Sequence, residues 1–254
     1  MGILKSIIIA FSLYSQIPVP QFAWKDEDMK YVLCFFPWVG AIIGVGIYLW
    51  GTVCDRLDIG ILCYAAGGAL LPLLITGGFH VDGFMDTMDA FHSCRPRERK
   101  LEILKDSHVG AFAVIMLGAY ALFYLGAFSE IREKAVLKIV CAGFVLSRCL
   151  SAIGVVSFPT AKNEGLLVNF AKSAKKNTVK FFLYLQGALC VGFMVGQSFP
   201  AGGVVSAAAI GAFVYYYYRC KKELGGITGD TAGYFVLLCE GSMLGAAAVW
   251  QILK

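Results

Sequence analysis

Along the chain, apolar stretches of about 20 residues alternate with short polar links, a pattern that predicts helices able to cross a hydrocarbon layer of roughly 30 Å. Seven such stretches are expected, at 31–53, 59–79, 109–128, 135–158, 181–199, 202–218 and 231–253. The sixth is short and its border with the fifth is soft, which leaves six or eight crossings open. Residues 1–14 carry one early charge, Lys5, and a short apolar run that stops before IPVP. They read as an interfacial helix, with no cleavable signal peptide evident.

Composition fits this pattern. The chain is 58% hydrophobic and 15% charged, against roughly 25% charged in ordinary soluble domains, and its mean hydropathy is +0.71. The expected fold is an all-α polytopic membrane bundle, one integrated unit over 1–254, with no linker or low-complexity tract. A lipid bilayer is the implied environment and no nucleic acid is expected as a partner. The nine cysteines form no CxxC pair and lie mostly in the oily segments, so their expected role is structural.

Charge adds an orientation. With seven crossings, sixteen lysines and arginines fall on the side of the N-terminus and five (Arg56, Arg132, Lys134, Lys138, Lys254) on the other. Basic residues accumulate in cytoplasmic loops, so the N-terminus is expected in the cytoplasm. The same side then holds four polar regions: the segment before 31, and 80–108, 159–180 and 219–230.

The richest of these begins GGFHVDGFMDTMDAFH, residues 77–92. Asp82, Asp86 and Asp89, spaced by four and three, would project within about 60° of one another on a helix. Like charges at these spacings repel, so something must neutralise them. Three readings stand: a solvated acidic face paired with the basic run Arg95–Lys105, an intramembrane cation or proton route, and a Mg²⁺ site that also holds substrate phosphates. Asp106, at the membrane edge, is a candidate fourth ligand. His80 is the preferred general base, while His92 reads as structural. A second G-G-x-x-x-D, GGITGD at 225–230, echoes the first and adds Asp230 as a further metal ligand or as the group orienting a nucleophile. Glycine turns of this kind expose backbone N–H groups to a phosphate.

Two ionisable residues, Arg148 and Glu240, lie about ten residues inside their segments and so about 15 Å deep. Groups this deep need a partner or a polar cavity, and a direct ion pair or a shared pocket between them is expected.

GGFHVDGFMDTMDAF with RERKLEILKDSHVGAF resembles the signature region of the adenosylcobinamide-GDP ribazoletransferase family. FSLYSQIPVP, LSR at 146–148 followed by FPTAKNEGL, and LGGITGDTAGYFVLLCE resemble the family's entry, central and C-terminal motifs, in order along nearly the whole chain. Gln16 and His108 stand where arginines are expected. The resemblance implies a Mg²⁺-dependent transferase that joins adenosylcobinamide-GDP to α-ribazole or its 5′-phosphate and releases GMP. Its site would lie on the cytoplasmic side of the inner membrane, with Asp82, Asp86, Asp89 and Asp106 around the metal. Catalytic contacts from His80, Arg148, Lys162 and Asp230 are expected, Arg148 and Lys162 touching the diphosphate. A CDP-alcohol phosphotransferase or a cation-coupled transporter is the alternative, and assembly into a homo-oligomer is left open.

Overall fold

The computed structural model describes residues 2–162 and 164–254. Met1 of the expected entry helix and Asn163 of the central motif lie outside the described residues. Helix α1 (Gly2–Tyr14) packs on α2 (Val32–Arg56). A 3-10 turn, Asp26–Tyr31, leads into α2 and is tied back to α1, where Ser6 donates to the Asp28 carbonyl at 3.0 Å. Helices α3 (Ile61–Thr76), α4 (Phe79–His92) and α5 (Arg97–Ile103) follow. Then come α6 (Ala111–Ser129), α7 (Lys134–Ser157), α8 (Leu166–Ser173), α9 (Lys176–Gln197), α10 (Phe199–Leu224) and α11 (Gly229–Leu253). Six helices are long and apolar enough to cross a membrane, and the α3–α4 pair makes up to seven.

Helix α7 is the axis of the bundle, with α2, α9, α10 and α11 around it. It is almost wholly buried, as expected of a helix with other helices around it. Gly40 and Gly44 of α2 meet it directly; a Cβ at Gly44 would stand 2.5 Å from the Cys141 carbonyl oxygen. Such small-xxx-small spacing lets two helix backbones approach where lipid supplies no hydrophobic drive. The outer helices instead expose large apolar side chains such as Leu62, Leu74, Leu122 and Leu189, a belt suited to lipid. Seven of the nine cysteines are buried and all are free, in keeping with a packing role.

Two expected elements are revised. The stretch 59–79 is not one straight crossing: α3 stops after 16 residues, and α4 leaves it at 98°. Gly77 and Gly78 both adopt positive φ (65° and 79°), a conformation that side chains with a Cβ resist, so the chain turns sharply there. The sixth stretch is not short. Helix α10 has 26 residues, because its last turn, Arg219 to Leu224, continues past the apolar limit that hydropathy detects.

The four polar regions do meet at one end. Lys175 N–H donates to the Lys30 carbonyl at 3.2 Å, and Ile227 N–H to the Pro159 carbonyl at 2.9 Å. Lys100 of α5 pairs with Glu223 of α10. The opposite end has only short links, closed by Lys254–Glu133 (2.8 Å) and Lys134–Asp55 (3.7 Å).

Candidate active site

Helix α4 crosses the first turn of α11, and glycine sets how closely. A Cβ at Gly83 would stand 2.6 Å from the Asp230 carbonyl oxygen, and one at Gly233 would stand 3.3 Å from the His80 Cα. This contact brings the two G-G-x-x-x-D segments together, although their geometry is not equivalent: Asp82 is the fourth residue of α4 and Asp230 the second of α11. Helix α11 starts at a Thr228–Thr231 box, in which Thr231 N–H donates to Thr228 Oγ1 at 3.2 Å and Thr228 N–H to Thr231 Oγ1 at 2.8 Å. We expect Gly83→Ala to lower Tm, since forcing a methyl into such a contact costs about 1–3 kcal/mol, and to cut turnover by about tenfold or more. Gly118→Ala, at a position with open space around it, should leave both the melting curve and the rate unchanged.

Asp82 is exposed, and Asp86 and Asp89 are half-buried on the same stripe. Burial, then Asp82, Asp230 and Asp89, push the Asp86 carboxyl up to about 6, and Lys162 offsets them only in part. The acidic groups of α4 and α11 therefore feel one another as a single field. Lys162 Nζ lies 3.7 Å from Asp230 Oδ2. It is delivered there by a short parallel pairing of 159–161 with Ile227, in which Ala161 N–H donates to the Ile227 carbonyl at 2.8 Å. Thr228 Oγ1 donates to Asp230 Oδ2 at 3.3 Å.

Other expected site residues have different employment. Asp89 caps α6, accepting from Gly110 N–H at 2.7 Å and Ala113 N–H at 2.8 Å. Asp106 is exposed and pairs with His108, whose N–H and Nδ1 lie 3.0 and 2.6 Å from its Oδ1. Arg148, expected at the diphosphate, is 1% exposed, and its Nη1 lies 2.6 Å from Glu240 Oε1 and 2.9 Å from the Phe144 carbonyl. The expected ion pair is thus present, shared with Ser147 Oγ, which donates to Glu240 at 3.1 Å.

His80 is enclosed by the rings of Tyr14, Phe36 and Phe79. His92 bonds the Met88 carbonyl (2.9 Å) and stacks on Phe112, a structural role as expected. Gln16 bonds the Ile75 carbonyl through its N–H at 2.8 Å and covers Gly77. Of the basic run, Arg99 pairs with Glu102 and Lys100 with Glu223, while the Arg97 guanidinium lies against Gly225. Glu223, which the sequence did not single out, organises this corner, since Arg219 also reaches it at 3.4 Å.

Among the described residues, no three His, Cys, Asp or Glu side chains converge as a ready-made metal cage. Mg²⁺ does not require one: it keeps several waters and is held by one or two carboxylates plus substrate phosphates. The uncompensated charge at Asp82 and Asp86 fits that mode.

Fold and site together define a polytopic helical membrane protein whose polar chemistry is gathered at one end, where two glycine-led helix starts bring carboxylates to a lysine. Residues 6–248 match the family model described as Cobalamin-5-phosphate synthase, and the chain belongs to that family. The adenosylcobinamide-GDP ribazoletransferase of Lachnoclostridium phytofermentans is 42% identical over 97% of this chain and 94% of its own. Those of Clostridium perfringens and Listeria welshimeri are 33% and 32% identical, covering 93% and 91% of this chain and 94% and 92% of theirs. No solved structure matches the chain.

Proposed function

We propose that the chain is an adenosylcobinamide-GDP ribazoletransferase, joining adenosylcobinamide-GDP to α-ribazole or its 5′-phosphate with release of GMP. The observation that carries this reading is the junction of Asp82 and Asp86 with Asp230 and Lys162, in a chain whose relatives bear that name. In the reaction the ribazole 3′-hydroxyl oxygen bonds to the phosphorus attached to cobinamide, the bridging P–O bond to GMP breaks, and the hydroxyl proton is lost. Asp82 and Asp86 would hold a Mg²⁺ ion, which when bound neutralises the diphosphate and the charge that builds on the leaving oxygen. Asp89 keeps α6 docked beside that pair. Lys162 offers its ammonium to the diphosphate, and Asp230, freed from Lys162 as substrate enters, orients the attacking hydroxyl and takes its proton.

Sixteen basic residues on the side of this junction support a cytoplasmic site in the inner membrane. A CDP-alcohol phosphotransferase would need D-G-x2-A-R, but after Asp82-Gly83 the Ala and Arg places are held by Asp86 and Thr87. The test is GMP release by the purified chain given adenosylcobinamide-GDP and α-ribazole. Release that needs both substrates and stops on removal of Mg²⁺ with EDTA is expected; release without α-ribazole, or none, overturns the proposal.

A further inference from the structure

Between α2 and α9, over α7, lies a recess with room for about 650 Å³, within the roughly 300–1,000 Å³ usual for ligand sites. It exists because the side chains beneath it are small: Ala41 and Gly44 of α2 and Ala142 of α7 leave space that larger residues would fill. Its rim carries Val45, Leu189 and Phe193, all exposed, so the recess opens on the apolar belt that faces lipid. Along α2 it reaches from Trp38 to Tyr48, about 15 Å of helix, which is half of a hydrocarbon core of roughly 30 Å. The recess is therefore one leaflet deep.

One charge lines this apolar slot. Lys138, early in α7 and so at the end opposite the carboxylate junction, is half-buried. Its Nζ lies 5.9 Å from the centre of the Tyr48 ring, and among the described residues no carboxylate stands within ion-pair distance of it. Asp55 and Glu133 at that end are engaged with Lys134 and Lys254. An ammonium group partly withdrawn from water calls for an anion. Lys138, Ala142 and Val145 follow one another at spacings of four and three, so they share a stripe of α7 with the charge at its outer end. The ligand that completes this wall carries an anionic group at one end and an apolar chain about one leaflet long. The apolar belt of a second copy would fill the slot and leave the ammonium unmatched.

We infer that this recess binds one anionic phospholipid of the leaflet facing away from the carboxylate junction, its phosphate on Lys138 beside Tyr48 and one acyl chain lying in the slot between α2 and α9. At the inner end of the slot the two helices are joined directly, Gln186 Nε2 donating to the Cys34 carbonyl at 3.1 Å. Towards Lys138 they part, and the acyl chain fills the gap. None of these residues belongs to the junction of Asp82, Asp86, Asp230 and Lys162, so the lipid site stands or falls apart from the transferase reading.

The experiment is native mass spectrometry of the full chain, purified in detergent and offered equal amounts of dioleoyl phosphatidylglycerol, which is anionic, and dioleoyl phosphatidylcholine, which is zwitterionic. Wild type should retain one lipid and prefer phosphatidylglycerol by about fivefold, the attraction of one lysine. In Lys138→Gln the two lipids should be retained equally. Ala41→Trp, at a position exposed to the recess, should fill the slot and lose both. Ala142→Leu serves if Ala41→Trp fails to give a monodisperse protein. Arg56→Gln removes an exposed charge at the same end, outside the recess, and should keep the wild-type preference. Equal retention of the two lipids by wild type, an unchanged preference in Lys138→Gln, or lipid still held by the filled variant overturns the inference. An equal loss of preference in Arg56→Gln overturns it as well, since the attraction would then be diffuse. So does a wild-type dimer that carries no lipid, which would give the recess to a second copy.

Discussion

Asp86→Asn is expected to lower GMP release by about a hundred- to a thousandfold, the usual loss when one electrostatic element of a transition state is removed, while Tm rises. The two effects have one cause. In the folded protein Asp86 sits among Asp82, Asp230 and Asp89, and its carboxyl is pushed from the ordinary 3.8 up to about 6. At neutral pH it is ionised against that resistance, and the resistance is a strain on the fold that an amide relieves. The sign follows from linkage: a carboxyl raised on folding destabilises the native state once pH exceeds its folded value, and the penalty fades as pH falls from about 6 towards 4. In metal-free buffer the gain in Tm of Asp86→Asn should accordingly be present at pH 7 and vanish near pH 4. A variant that loses activity and stability together would point to a merely structural carboxylate. A stability gain bought with lost turnover is the mark of a functional one.

Glu240→Leu should produce the largest loss of stability. Removing one partner of a buried pair strands the other charge and costs about 3–5 kcal/mol, which for a chain of this size corresponds to a fall in Tm of roughly 10 °C. Arg148 then keeps only the Phe144 carbonyl and Ser147 for its Nη1. Adding Arg148→Met should restore most of the loss, because an apolar pair of similar volume is often as stable as the ion pair it replaces. Thermal unfolding of the single and double variants in the same detergent measures both. If Glu240→Leu melted like wild type, the buried pair would have no structural weight.

Depth alone called for a direct ion pair or a shared polar pocket between two charges counted ten residues into their helices, and the structure has the ion pair, at 2.6 Å. The crossings were legible for the same kind of reason, since apolar length is a local property. Where the chain departed from expectation, the cause was non-local or conformational. The second stretch reads as one crossing because hydropathy does not see that Gly77 and Gly78 both turn left-handed. Asp89 looks identical to Asp82 and Asp86 along the stripe, and only the position of the α6 start makes it a cap. That Arg148 meets Glu240 is set by packing, because sequence order does not say which partner a guanidinium meets.

By itself the sequence determined the class of molecule, the rough placement of its long apolar helices, the end at which polar chemistry gathers, and the acidic stripe of α4. These depend on periodicity and composition, which are written residue by residue. Only the tertiary structure decided that Asp230 and Lys162 join that stripe, that Glu223 ties α5 to α10, and that His80 is buried among the rings of Tyr14, Phe36 and Phe79. Those facts depend on how closely two helix backbones pass, here set by Gly83 and Gly233, and such distances between remote segments have no signature in either segment alone.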